Sequence, residues 1–142
     1  MTIAAILRGR EGQVFSVGPD TTVAEAIAQL AEKRIGALPV VEGGRVLGIF
    51  SERDVIYCLA QAGADALGKR VADVMTAPAH SVAPNQGVLA ALSLMTQRRF
   101  RHLPVTEGDS LVGFVSIGDL VKYRIDKIEA EAAAMREYIQ TA

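Results

Sequence analysis

Two short stretches hold the residues best suited to bind a ligand. Gly48-Ile49-Phe50-Ser51-Glu52-Arg53-Asp54 and Gly113-Phe114-Val115-Ser116-Ile117-Gly118-Asp119 repeat a glycine, a hydroxyl and a carboxylate at identical spacing. In both, an apolar strand pattern gives way to a helix start. Glycine lets a ligand come close to the backbone. Serine and the free amides of a helix start bind phosphate, and a carboxylate one turn in accepts hydrogen bonds from ribose hydroxyls. The combination suits a nucleotide. The same residues also make an ordinary helix start, with serine as N-cap and aspartate on the helix dipole, each contributing about 1 kcal/mol. One copy alone does not separate the two readings.

Groups for catalysis are sparse. The chain has two histidines, His80 and His102, and one cysteine. Cys58 sits in the apolar run Val55-Ile56-Tyr57-Cys58-Leu59, which suits a buried thiol in a reducing compartment. No Cys/His spacing fits zinc, and neither motif serine lies in a Gly-x-Ser-x-Gly elbow. The dinucleotide and P-loop glycine fingerprints are missing from the sequence. The expectation is a binding module and not an enzyme, with a small nucleotide hydrolase as the least favoured alternative.

The elements that position these residues come twice. Displacing the sequence by 65 positions, as Ser51 to Ser116, also superimposes Pro19 on Pro84, Leu38-Pro39-Val40 on Leu103-Pro104-Val105, and Glu42-Gly43 on Glu107-Gly108. Two copies are too few for a solenoid, so they are expected to pack together and complete one core with two-fold pseudosymmetry. Thr22-x-x-Glu25 reads as a capping box. Val23, Ala26, Ile27 and Leu30, like Val88, Ala91, Leu92 and Met95, follow at helical spacing. Two apolar strands joined by a glycine turn come next, and a second helix ends each copy. The order is β-α-β-β-α per repeat, and the fold class is α/β in the α+β sense. Pro39 and Pro104 predict short strands with unpaired backbone groups that could face a ligand.

At 142 residues, half of them apolar and 22% charged with a net charge of −1, the chain reads as one ordinary globular unit. Near-neutrality argues against a nucleic-acid partner, and the cluster Arg98-Arg99-Phe100-Arg101-His102 is too small to overturn that. No apolar run approaches the ~20 residues of a membrane span, and no basic segment precedes Ile3-Ala4-Ala5-Ile6-Leu7. A cytoplasmic location is expected. After the second copy, Val121, Ile125, Ile128, Ala132, Met135 and Ile139 form a heptad seam on one long helix. Either that helix folds back on its own domain or it meets a second subunit, and the seam's length favours a homodimer.

The repeat, its Leu-Pro-Val strand, its Glu-Gly turn and its Gly-x-x-Ser-x-x-Asp motif together resemble the tandem cystathionine-β-synthase (CBS) domain pair, or Bateman module, over roughly residues 6–124. The resemblance implies an N-terminal segment (1–13), two repeats packed through their sheets (14–68 and 69–124) and a C-terminal helix (125–142), in a stand-alone module of bacterial type. It also implies two clefts binding adenosyl ligands such as AMP, ADP, ATP, NAD(H) or S-adenosylmethionine, with the signal passed to a subunit or to an unknown protein target. By resemblance, Asp54 and Asp119 hold ribose, Ser51 and Ser116 lie near phosphate, and Ile49 and Phe114 flank the base. Ile35, Gly36 and Ala37 and their counterparts Phe100, Arg101 and His102 line the clefts, and Thr21 joins the candidates. Arg101 and His102 offer donors to phosphate where Gly36 and Ala37 offer only backbone and space, so the clefts are expected to be unequal. Arg53 adds a guanidinium where the second copy has Gly118. The alternative function is a dimerisation scaffold whose clefts bind nothing.

Overall fold

The capping box forms as its spacing predicts: the Glu25 N–H donates to the Thr22 hydroxyl at 3.2 Å, and the Thr22 N–H donates to the Glu25 carboxylate at 3.3 Å. A computed structural model describes residues 1–10 and 14–141 of the chain. In order, the elements are α1 (Ile3–Leu7), α2 (Val23–Lys33), β1 (Ala37–Glu42), β2 (Arg45–Ser51), α3 (Glu52–Ala62), α4 (Val71–Val74), α5 (Val88–Arg98), β3 (His102–Glu107), β4 (Ser110–Ser116) and α6 (Ile117–Thr141). Short 3-10 segments at Arg8–Arg10 and Gly63–Gly68 follow α1 and α3.

Each repeat builds an antiparallel hairpin. Leu38 pairs with Phe50 and Leu103 with Val115, and both hairpins break register at the same place, after Val40 and after Val105. Gly43 and Gly44 turn the first hairpin with φ of 59° and 83°, a conformation that side chains with a Cβ resist. The sheet order is β1-β2-β4-β3, and the two hairpins meet only where Arg45 pairs with Ser110 and the Leu111 N–H donates to the Gly44 carbonyl at 3.0 Å. The sheet contact between the repeats is therefore thin.

The first strand expected in each repeat is reduced to a single parallel bridge, Val17 to Val40 and Val82 to Val105. Pro19 and Pro84 stop the extension two residues later, and Pro39 and Pro104 have no N–H to continue a ladder. The Val17 and Val82 N–H groups donate to the Pro39 and Pro104 carbonyls at 3.1 and 3.0 Å. The carbonyls of the two prolines are thus paired within the chain.

The expectation of one shared core is also corrected, because the buried residues fall into two clusters, one per repeat. Val17, Val23, Leu38, Val40 and Phe50 lie in the first, and Val82, Val88, Met95, Leu103, Val115 and Leu120 in the second. The lead-in helices α1 and α4 are exchanged between the repeats. Ile3 and Ile6 of α1 are buried in the second cluster, while Val71 of α4 is buried in the first. The exchange follows from backbone pairing: the Ile3 N–H donates to the Gln86 carbonyl at 2.9 Å, and Thr76 and Ile49 exchange two hydrogen bonds of 2.9 Å. Helix α6 docks through Leu120 and Tyr123, then continues to Thr141 with its heptad seam uncovered. Residues 11–13 of the expected N-terminal segment and residue 142 of the expected helix lie outside the described residues.

Candidate functional site

Two clefts lie between the repeats, and each is built crosswise. The first, about 780 Å³, joins the end of β2 and the start of α3 (Ile49, Ser51, Glu52, Arg53) to the α5–β3 connection of the other repeat (Arg98, Arg99, Phe100, Arg101, His102), with Thr76 and His80 alongside. The second, about 640 Å³, joins the end of β4 and the start of α6 (Phe114, Ser116, Asp119) to the α2–β1 connection (Arg34, Ile35, Gly36, Ala37), with Arg10, Val14 and Phe15 closing one side. Gly36, His102 and Ser116 line both. Both volumes fall in the range of small-molecule sites.

His102 is the shared wall. Its ring stacks on Phe114 with centroids 5.6 Å apart and planes 11° apart. A Cβ on Gly36 would stand 3.4 Å from its Cε1, so the glycine gives the ring its space. Burial lowers the His102 pKa below the usual imidazole value; Asp119 and Glu52 pull it up, Arg101 pushes it down, and burial prevails.

The two carboxylates differ. Asp54 is only 6% exposed and is not part of the first cleft's lining. Its Oδ2 accepts from the Ser51 N–H at 2.9 Å and the Ser51 hydroxyl at 3.1 Å, while its Oδ1 accepts from the Thr76 hydroxyl at 2.9 Å. Asp119 faces the second cleft. The Ser116 N–H donates to its Oδ2 at 2.7 Å, its own N–H donates to the Ser116 hydroxyl at 3.1 Å, and its Oδ1 forms an ion pair with Arg10. Burial alone would raise the Asp119 pKa, but hydrogen bonds from the Arg10 guanidinium and the Ser116 amide hold it below the usual carboxylate value.

The motif glycines play a different part from the one expected. A Cβ on Gly48 would fall 2.6 Å from the Thr76 carbonyl oxygen, and one on Gly113 2.6 Å from Leu7 Cδ2. The space beside each is filled by the exchanged segment, not by a ligand. Thr21 lines neither cleft; its hydroxyl accepts from the Gly18 N–H at 3.1 Å.

Arg10, Arg34 and Thr76 are among the cleft residues that escaped sequence reasoning. Arg34 had a signal, because it stands at the repeat offset from Arg99. Both arginines cap their helices in the left-handed conformation, with φ of 55° and 59°, and they line opposite clefts. Non-glycine residues held there cost about 1 kcal/mol, which points to a use for the side chain. Among the described residues no group of three or more His, Cys, Asp or Glu is placed to hold a metal ion, and no helix is long and apolar enough to cross a membrane.

The CBS domain family model matches residues 11–61 and 71–126, which are the two halves of this crosswise arrangement. The chain belongs to the CBS domain family. This CBS pair is 35% identical to the mitochondrial CBS domain-containing protein CBSX3 of Arabidopsis thaliana, over 98% of this chain and 72% of that one. Among solved structures, it superimposes on the CBS-domain containing protein ATU1752 of Agrobacterium tumefaciens with a TM-score of 0.82 at 38% identity, covering 87% of this chain and 99% of that one. It also superimposes on CBSX2 in complex with AMP with a TM-score of 0.75 at 26% identity, covering 88% and 96%. A mixed α+β fold of two repeats was the expectation, and the family and the structure both bear it out.

Proposed function

We propose that this CBS pair is a non-catalytic regulatory module that binds adenine nucleotides in the clefts between its repeats and passes their occupancy to a second subunit or another protein. The observation that carries the reading is the crosswise construction of each cleft, set against a sheet joint of one paired residue on each side. A ligand seated there touches both repeats and ties them together. It shifts their packing by its differential affinity for the tied and loosened arrangements. The AMP held by the similar CBSX2 supports the ligand class.

The clefts suit different ligands. Arg53, Arg98, Arg99 and Arg101 give the first a concentration of guanidinium groups fit for the phosphates of ATP or ADP or for the pyrophosphate of NAD(H). The second offers Asp119 for ribose, Phe114 and Ile35 for a base, and Arg10 and Arg34 for a single phosphate, as in AMP. The module acts as a cytoplasmic homodimer in this reading. Equilibrium dialysis of AMP and ATP against the full chain tests it: two sites of unequal affinity are expected, and equal affinities or no binding would count against it.

A further inference from the structure

Helix α6 leaves an apolar row without cover. Val121, Ile125, Ile128, Met135 and Ile139 are 42%, 48%, 47%, 61% and 65% exposed. The helix docks on its own domain through other positions, Leu120 and Tyr123. With Val121, Ile128 and Met135 at heptad position d and Ile125, Ala132 and Ile139 at position a, the row is a two-stranded seam about 27 Å long.

The flanking charges specify what covers it. Position g carries Arg124 and Glu131, and position e carries Lys122, Glu129 and Arg136. When two copies run parallel and in register, each g residue faces the e residue of the partner's next heptad. Arg124 then meets the partner's Glu129, and Glu131 meets the partner's Arg136. Both contacts are attractive, and the two-fold axis doubles them. A fully overlapped antiparallel pair would set Lys122 against the partner's Arg136 and bring Glu129 and Glu131 against their own copies. Among the described residues none of Arg124, Glu129, Glu131 and Arg136 forms an ion pair within the chain.

We propose that α6 joins α6 of a second copy as a parallel, in-register coiled coil from Val121 to Ile139. The proposal gives a geometry to the homodimer and rests on that reading; it is independent of the nucleotide. Exposed ion pairs add little affinity, so their role is to set direction and register while the apolar seam holds the pair.

The test uses Ile128→Cys and Met135→Cys separately, each in a Cys58→Ala background, with light scattering and oxidative cross-linking of the full chain. Twice the 15.1 kDa chain mass and efficient self-cross-linking at both positions are expected. No antiparallel alignment brings both positions onto their own copies. Arg124→Glu should weaken the dimer roughly tenfold, and Arg124→Glu with Glu129→Arg should restore it. A monomer overturns both this proposal and the homodimer reading. A dimer that cross-links at neither or only one position, or that ignores the charge reversal, overturns the coiled coil and leaves the homodimer standing.

Discussion

The Thr76 hydroxyl donates a 2.9 Å hydrogen bond to Oδ1 of Asp54, a carboxylate buried at the start of α3. Thr76 belongs to the segment that introduces the second repeat, so this contact fastens one repeat to the lead-in of the other. Replacing Thr76 with valine keeps the shape and removes the donor. A buried polar atom without a partner costs about 1–3 kcal/mol, and more when the group is charged. Urea denaturation of Thr76→Val should show a loss of that size, whereas an unchanged midpoint would mean Asp54 finds water instead.

Gly48 and Gly113 are closed by unlike neighbours, and their alanine variants should differ. At Gly48 the nearest atom is the Thr76 backbone carbonyl, which cannot yield without moving α4; at Gly113 it is the end of the Leu7 side chain, which can rotate. Gly48→Ala is expected to cost about 1–3 kcal/mol, as overpacking does, and Gly113→Ala less. Thermal unfolding of the two variants side by side checks the order.

Arg34 and Arg99 trade stability for reach. Glycine suits the left-handed conformation both adopt, so Arg34→Gly and Arg99→Gly should each stabilise the fold by about 0.5–1 kcal/mol. The same changes remove a guanidinium from a cleft. ATP affinity should fall in Arg99→Gly and AMP affinity in Arg34→Gly, measured by calorimetric titration. Stabilisation without loss of affinity would remove both arginines from the sites.

Acid should weaken the fold in two steps. Burial depresses the His102 pKa, so the unfolded chain takes up that proton first. The stability His102 contributes is complete above its unfolded pKa of about 6.5 and declines as pH falls from there toward the folded value. Asp119, also depressed, contributes stability that is complete above its unfolded value of about 3.9 and is lost as pH falls through the folded one. Urea midpoints between about pH 7.5 and 5 should therefore decline, and His102→Gln should flatten that decline.

Much of this organisation is legible in the sequence because it is local or repeated. Thr22 and Glu25 lie three residues apart, the hairpins are set by their glycine turns, and the offset from Ser51 to Ser116 fixes the pseudosymmetry. What stayed hidden depends on contacts distant along the chain. The pairing of Asp54 with Thr76 and the filling of Gly113 by Leu7 arise from the exchange of α1 and α4 between repeats, which no spacing announces. Arg10 meets Asp119 for the same reason. Arg34 was visible only as the repeat partner of Arg99, and its left-handed backbone is a property of three dimensions.

The central claim is that the clefts bind an adenine nucleotide, and thermal unfolding with AMP, ADP, ATP, NAD and NADH supplied singly tests it most directly. A ligand at about 100 times its Kd stabilises by about 2.7 kcal/mol, a shift of several degrees for a chain of this size. The account predicts such a rise with at least one of them, diminished for AMP by Asp119→Ala and for ATP by Arg101→Ala. An unchanged midpoint with all five would contradict it and leave the scaffold reading.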